Sequence, residues 1–191
     1  MTDHATGALD WARPGQGNGL RWVIAMTACA VLLQVAILPR FDIGPIEGIP
    51  NVVVCVVVAV ALLRGVVVGA VVGFAAGMLV ELLTPGETLG VLALVYVAIG
   101  AWCGRFAGGN AAVGRWFAVS LMVGATVLVP LWMGLVYLLR GDGPPLGYLL
   151  GDIVVPQLIF APLVAIPVWW AAQRLLGAPR EVEPWMARGV A

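Results

Sequence analysis

The feature that most constrains this sequence is a set of six apolar segments that contain almost no charge. They cover residues 21–38, 50–63, 65–83, 89–102, 116–139 and 149–176. Of the 191 residues, 62% are hydrophobic and 10% are charged, whereas a soluble domain carries roughly 25% charged residues. In lipid the backbone must satisfy its own hydrogen bonds, so apolar spanning segments form helices even when they are rich in valine. The sequence therefore predicts an all-α, polytopic membrane protein with six transmembrane helices.

The second segment is short for a transmembrane span. As a helix, residues 50–63 would rise only ~21 Å, against a hydrocarbon core of ~30 Å. A re-entrant segment, which would leave five spans, is the alternative. We predict six spans with a short second helix, because local bilayer thinning or a snorkelling Arg64 can accommodate a short span.

The ten basic residues are all arginine, and their positions indicate an orientation. With six spans and a cytoplasmic N-terminus, eight arginines fall inside, and only Arg40 and Arg140 fall outside. Cytoplasmic loops carry such an excess of positive charge. The five-span alternative, with the N-terminus outside, places seven inside and three outside. We predict a disordered cytoplasmic tail at residues 1–19, a six-helix transmembrane domain at residues 20–177 and a cytoplasmic tail at residues 178–191.

Residue patterns typical of catalysis or of cofactor binding are missing from the sequence. The single histidine, His4, lies in the predicted tail, and the single serine, Ser120, lies alone among apolar residues. The cysteines Cys29, Cys55 and Cys103 lack metal-ligand spacing, and we expect them to be small buried hydrophobic residues. We therefore predict no enzymatic activity, no cofactor and no metal. A net charge of zero also excludes a basic nucleic-acid-binding protein.

A row of small residues in the third segment predicts close helix packing. The row consists of Gly65, Gly69, Gly73 and Gly77, and Glu81 continues it at the same spacing. Small residues four apart let two helix backbones approach closely in a membrane. The row serves either internal packing, which we favour, or a surface for a separate subunit.

Four polar residues form a possible cluster near the predicted outer surface: Glu81, Glu87, Asp152 and Gln157. A buried charge is costly at mid-bilayer, and the cost falls towards the interface. We expect Glu81 to hydrogen-bond the turn that follows it, with a relay or recognition role as the alternative. Asp152 suits a helix N-cap or first turn.

Residues 50–104 resemble the MreD family of rod-shape-determining membrane proteins. The resemblance depends on Pro50-Asn51, Arg64-Gly65, Gly69, Gly73-Phe74, Gly77, Glu81, Pro85-Gly86, Leu89-Gly90, Tyr96, Gly100 and Gly104. Residues 156–167, with three prolines, resemble the last helix of that family. One departure is Glu81, where the family more often has aspartate.

The resemblance implies a non-enzymatic subunit of the bacterial cytoplasmic (inner) membrane that helps maintain rod shape by scaffolding or regulating side-wall peptidoglycan synthesis. The implied partners are an MreC-like single-pass membrane protein, MreB-like filaments, and a RodA-type transglycosylase with its transpeptidase partner. Membrane lipid is a further expected partner of this chain.

A substrate-binding subunit of an energy-coupling-factor vitamin transporter is the alternative function. Such subunits also have six helices, and MreD-like chains are similar to them in overall fold. A vitamin-binding subunit needs polar residues that converge on an outer pocket, for which this chain offers Asp42, Glu47, Glu87, Asp142, Tyr148 and Asp152. It also needs a small-residue docking helix, and Ala25, Cys29 and Leu33 match that pattern poorly. We therefore favour the shape-determining function.

Overall fold

A computed structural model of the chain describes residues 17–37, 51–84, 90–107, 114–141 and 146–176. Helices account for nearly all of these residues, and no strand occurs among them. The all-α prediction is confirmed, and each of the six apolar segments contains a helix. The predicted tails lie outside the described residues, apart from residues 17–19, which begin the first helix.

The helices follow one another along the chain with short connections. They are α1 (Gly17–Leu32), which continues as a π-helical turn (Leu33–Ile37), α2 (Val52–Arg64), α3 (Val66–Leu83), α4 (Val91–Gly104), α5 (Arg115–Arg140), the short α6 (Leu146–Tyr148), a second π-helical segment (Leu149–Val154) and α7 (Val155–Leu176).

The short second helix, α2, lies at the centre of the bundle. Its first eleven residues, Val52 to Leu62, are all buried, and it contacts α1, α3, α4, α5 and α7. A helix that is apolar on every side has no face to offer water and is buried by its neighbours. Because protein rather than lipid surrounds most of α2, its length does not have to match the bilayer thickness.

Four helical stretches are long and apolar enough to cross a membrane. They are Gly19–Ala36, Val66–Leu83, Arg115–Arg140 and Leu150–Leu176. The apolar helices α2 and α4 are shorter. These four helices indicate a membrane protein. The predicted count of six spans requires the shorter α2 and α4 to cross the membrane as well. The second segment is not the only short one, because α4, with 14 residues, is nearly as short as α2.

Contacts at both tips of α2 show that successive helices run in opposite directions. At the Arg64 tip, the Arg64 side chain lies beside Gly19 of α1 and donates to the Leu176 carbonyl of α7 at 3.5 Å. Gly104 of α4 packs on Val66 of α3 at the same level. We call this side of the bundle the Arg64 end.

The opposite side, which we call the Asn51 end, holds the other tips of these helices. Gln34, in the π-helical turn after α1, accepts a hydrogen bond from the Val52 N–H at 2.8 Å. Asn51 donates to the Tyr96 hydroxyl of α4 at 2.7 Å. The chain therefore passes from one end of the bundle to the other with each successive helix from α1 to α4.

Candidate functional site

The most closely packed part of the molecule is the seam between α3 and α4, where glycines of α3 touch the backbone of α4. A Cβ atom built on Gly77 would lie 2.5 Å from the Cα of Ala93, and one built on Gly73 would lie 2.7 Å from the carbonyl carbon of Tyr96. Ordinary van der Waals contacts of such atoms are 3.4–4 Å. These positions therefore hold glycine because the backbones approach too closely for any side chain.

Glycines of α4 complete the same seam from the other side. A Cβ atom on Gly100 would lie 2.6 Å from the carbonyl carbon of Gly69, and one on Gly104 would lie 2.5 Å from the Cα of Val66. The predicted packing row covered α3 alone, although Gly100 and Gly104 of α4 show the same spacing of four.

Gly65, the first member of the predicted row, has a different place. It lies between α2 and α3 with a φ of +93°, and an added Cβ atom would meet nothing within 4 Å. Glycine suits this position because left-handed backbone is strained for other residues. The helix-packing face in the structure therefore consists of Gly69, Gly73 and Gly77, whereas Gly65 forms the connection. Whether the face also serves a separate subunit stays a prediction.

Glu81 caps the N-terminus of α4. Its Oε2 accepts a hydrogen bond from the Gly90 N–H at 2.7 Å, and its Oε1 accepts one from the Leu92 N–H at 2.6 Å. The first N–H groups of a helix lack intrahelical partners, and the helix dipole favours a negative charge there. The carboxylate therefore ties the last turn of α3 to the first turn of α4, on the far side of the intervening connection.

The N-terminus of α2 is capped by two side chains. Asn51 is the N-cap residue, and its Oδ1 accepts a hydrogen bond from the Val54 N–H at 3.2 Å. Gln34 accepts from the Val52 N–H, and the amide of Asn51 also donates to the hydroxyl of Tyr96, a side chain that is 1% exposed. These bonds link α1, α2 and α4 at one point.

Sequence reasoning missed this capping cluster. Asn51 and Tyr96 entered only as parts of the family resemblance, and Gln34 received no role. An asparagine directly before a long apolar run is an N-cap signal that could have identified Asn51. No signal in the sequence pairs Asn51 with Tyr96 or Gln34 with Val52, because each pair forms only when the helices assemble.

Glu81 and Asp152 lie on elements that pack against different helices. Asp152 is exposed in the π-helical segment before α7, which packs against α5 and α7. Glu81 lies on α3, which packs against α1, α2 and α4. Gln157 is buried in α7, and Glu87 lies outside the described residues.

Arginines within the described ranges concentrate at the Arg64 end. Arg21, Arg64, Arg105 and Arg174 lie there. Arg115 lies there too, because Phe117 in the first turn of α5 contacts Phe106 at the end of α4, and Arg140 is at the opposite tip of α5. The guanidinium carbons of Arg105 and Arg174 lie 5.6 Å and 3.7 Å from the ring centroids of Trp102 and Trp170. An arginine stacked on an aromatic ring is held by cation–π attraction.

The cysteines do not form a metal site in the described part of the chain, where no group of three or more potential ligands occurs. Cys55 and Cys103 are buried, but Cys29 is exposed. The expectation of a buried Cys29 is therefore wrong. Cys29 lies on an outward face of α1, and contact with lipid costs this small apolar side chain little.

An apolar groove of about 430 Å³ opens between α4 and α5. Its lining residues are Leu94, Val95, Ala98, Ile99, Trp102 and Cys103 of α4, and Ser120, Leu121, Gly124, Ala125, Leu128 and Trp132 of α5. The sequence did not indicate that these residues line a groove, because they lie in two ordinary apolar segments. The groove follows from the way in which α5 packs beside α4.

Comparison with known proteins does not identify a family for this chain. A scan against protein-family models, a search of the curated proteins and a search of the solved structures each returned no match. The capped and closely packed α2–α4 unit and the groove between α4 and α5 are therefore the features from which a function can be inferred.

Proposed function

We propose that this chain is a non-enzymatic integral membrane subunit of the bacterial cell-elongation complex, where it scaffolds or regulates side-wall peptidoglycan synthesis. One observation supports the proposal above all others. Several of the residues that carry the resemblance to MreD join α2, α3 and α4. The glycines of the α3–α4 seam, the Glu81 cap of α4 and the hydrogen bond between Asn51 and Tyr96 are all among them.

This unit has the properties of a scaffold. Backbone contact along the seam and capping bonds at its tip restrict how α3 can slide or rotate against α4. A fixed pair of helices presents a constant surface to other membrane helices, which recognise one another largely by close packing. The proposed partners are an MreC-like single-pass protein, a RodA-type transglycosylase with its transpeptidase partner, and MreB-like filaments.

The proposed location is the cytoplasmic membrane, with six spans and with both termini in the cytoplasm. Five described arginines at the Arg64 end against one at the Asn51 end support a cytoplasmic Arg64 end under the positive-inside rule. The described acidic residues, Glu81 and Asp152, lie at the Asn51 end. The short α2 fits this arrangement because it is enclosed by protein.

The proposed orientation can be tested with two engineered cysteines. Gly114→Cys is exposed at the Arg64 end, and Thr84→Cys is exposed at the Asn51 end. A membrane-impermeant maleimide added to intact cells or spheroplasts should label Thr84→Cys and should reach Gly114→Cys only after permeabilisation. The parent chain controls for labelling of the native cysteines. Labelling of Gly114→Cys in intact cells would show that the Arg64 end faces the outside and would refute the proposed orientation.

Depletion of the protein in the bacterium that encodes it tests the function. We expect rounded cells with wider diameters and dispersed incorporation of fluorescent D-amino acids. Supplying vitamins should not restore the shape, whereas expressing the chain from a plasmid should. Cells of normal shape that need added vitamins would instead support the transporter alternative, and normal shape without that need would refute the proposal as well.

A further inference from the structure

The groove between α4 and α5 is built to receive an apolar ligand. A Cβ atom on Gly124 would meet nothing within 4 Å, so no side chain fills the groove at that position. Ser120 donates its hydroxyl to the Phe117 carbonyl at 2.8 Å, within its own helix. Apolar cavities of roughly 150 Å³ already stay dry and bind small hydrocarbons. A groove of about 430 Å³ with this lining therefore accommodates hydrocarbon rather than water.

The length of the groove matches one leaflet of a bilayer. Its lining runs from Leu94 to Cys103 on α4 and from Ser120 to Trp132 on α5. At ~1.5 Å per residue these stretches measure about 14 Å and about 18 Å. Half of a hydrocarbon core of ~30 Å is about 15 Å. A transmembrane helix of a partner would need a groove about twice as long, whereas a single acyl chain fits this one.

Two arginines, Arg105 and Arg115, lie at one end of the groove. Trp102 lines the groove, and the guanidinium of Arg105 stacks on its ring with 5.6 Å between the guanidinium carbon and the ring centroid. An edge-to-face contact between Phe106 and Phe117, with 5.6 Å between the centroids, joins the end of α4 to the first turn of α5. Arg115 begins α5 at this end. Both arginines are exposed and can therefore meet a lipid headgroup.

We propose that this groove binds one anionic phospholipid, with an acyl chain between α4 and α5 and with its phosphate near Arg105 and Arg115. Basic side chains near a membrane surface attract anionic headgroups. Charge complementarity at the mouth therefore favours phosphatidylglycerol over a zwitterionic lipid of the same chain length. This site is independent of the proposed function in cell elongation, because neither requires the other.

The test measures lipid binding to the purified full-length protein by native mass spectrometry, during titration with dioleoyl phosphatidylglycerol or dioleoyl phosphatidylcholine. Wild type should bind phosphatidylglycerol more tightly. Gly124→Leu should weaken the binding of both lipids, because leucine would occupy groove space and its Cβ atom would meet nothing within 4 Å. Gly151→Leu is the matched control, since Gly151 is exposed and its Cβ position is also open.

A second pair of variants separates the headgroup from the chain. The double variant Arg105→Gln with Arg115→Gln should lose the preference for phosphatidylglycerol. We expect each substitution to weaken phosphatidylglycerol binding by about fivefold. The same double variant should leave phosphatidylcholine binding unchanged. Arg21→Gln with Arg174→Gln removes the same charge at the same end of the bundle and should bind as wild type does.

Three results would overturn the proposal. The first is equal affinity of the wild type for the two lipids. The second is a loss of binding in the control variants that matches the loss in the groove variants. The third is unchanged lipid binding by Gly124→Leu together with a loss of self-association or of a co-purifying protein, which would identify a helix as the occupant.

Discussion

Substitution of Gly73 by alanine tests whether the α3–α4 seam stabilises the fold. The added Cβ atom would lie 2.7 Å from the carbonyl carbon of Tyr96, whereas carbon atoms are best separated by ~3.5–4.0 Å. The opposing atom belongs to the backbone and cannot rotate away. The two helices would therefore have to separate by about 1 Å to restore an ordinary contact.

The energetic cost of this separation can be estimated. A gap of ~0.5–1 Å forfeits about a quarter to a half of each dispersion contact along the seam, and overpacking of this kind costs ~1–3 kcal/mol. Alanine restores up to ~1 kcal/mol through its better helix propensity. We expect Gly73→Ala to lower the free energy of unfolding by about 1–2 kcal/mol.

The measurement is unfolding of the full-length protein from mild detergent micelles by sodium dodecyl sulfate, followed by circular dichroism. Gly124→Ala is the matched control, because the same methyl group enters open space there. This control should be unchanged or more stable by up to ~1 kcal/mol. Equal stability of the two alanine variants would show that the close backbone contact at Gly73 does not stabilise the fold.

Three further predictions use the same unfolding measurement. Glu81→Ala leaves two helix N–H groups without their acceptors and should cost ~1–3 kcal/mol, whereas Glu81→Gln keeps one acceptor oxygen and should cost less; equal losses would contradict the two-bond cap. Tyr96→Phe should cost about 1 kcal/mol and should show coupling with Asn51→Ala in a double-mutant cycle, so additive effects would argue against the bond between them. Arg64→Gln removes the positive charge near the C-termini of α2 and α7 and should cost ~0.3–1 kcal/mol, and a larger loss than that of Glu81→Ala would contradict this ranking.

The helical fold could be predicted from the sequence because lipid leaves few alternatives. The segment from Val52 to Leu62 is rich in β-branched residues, which favour strands in water, yet it forms a helix here. A transmembrane segment must satisfy its hydrogen bonds internally, so hydrophobicity and length decide its secondary structure more strongly than propensity does. For the same reason, all six apolar segments were recognisable without any knowledge of their contacts.

The central position of α2 could not be predicted in this way. The sequence presents a short segment as a weak span, and length alone cannot distinguish a re-entrant segment from a helix wrapped by five others. Where nearly every side chain is apolar, the pattern carries no stripe that shows which face is inside. The burial of α2 therefore depends on the packing of the whole bundle.

The role of Glu81 shows the same division between sequence and tertiary structure. Its charge within an apolar segment and its place near a turn were evident from the sequence, and they indicated a hydrogen-bonded residue near the interface. The identity of its partners depended on where α4 begins, which the tertiary structure alone decides. Gly124 is the converse case, because an unremarkable glycine became notable only when α4 and α5 left an open groove beside it.

The amino-acid sequence was therefore sufficient to predict a helical membrane protein, its segments and the glycine row that permits close packing. Those properties depend on hydrophobicity and on spacing along one helix, and both can be read locally. The enclosed position of α2, the N–H groups that Glu81 and Asn51 cap, and the place where hydrocarbon can enter became known from the assembled bundle. Those properties depend on contacts between residues far apart in the chain, which form only when the helices come together.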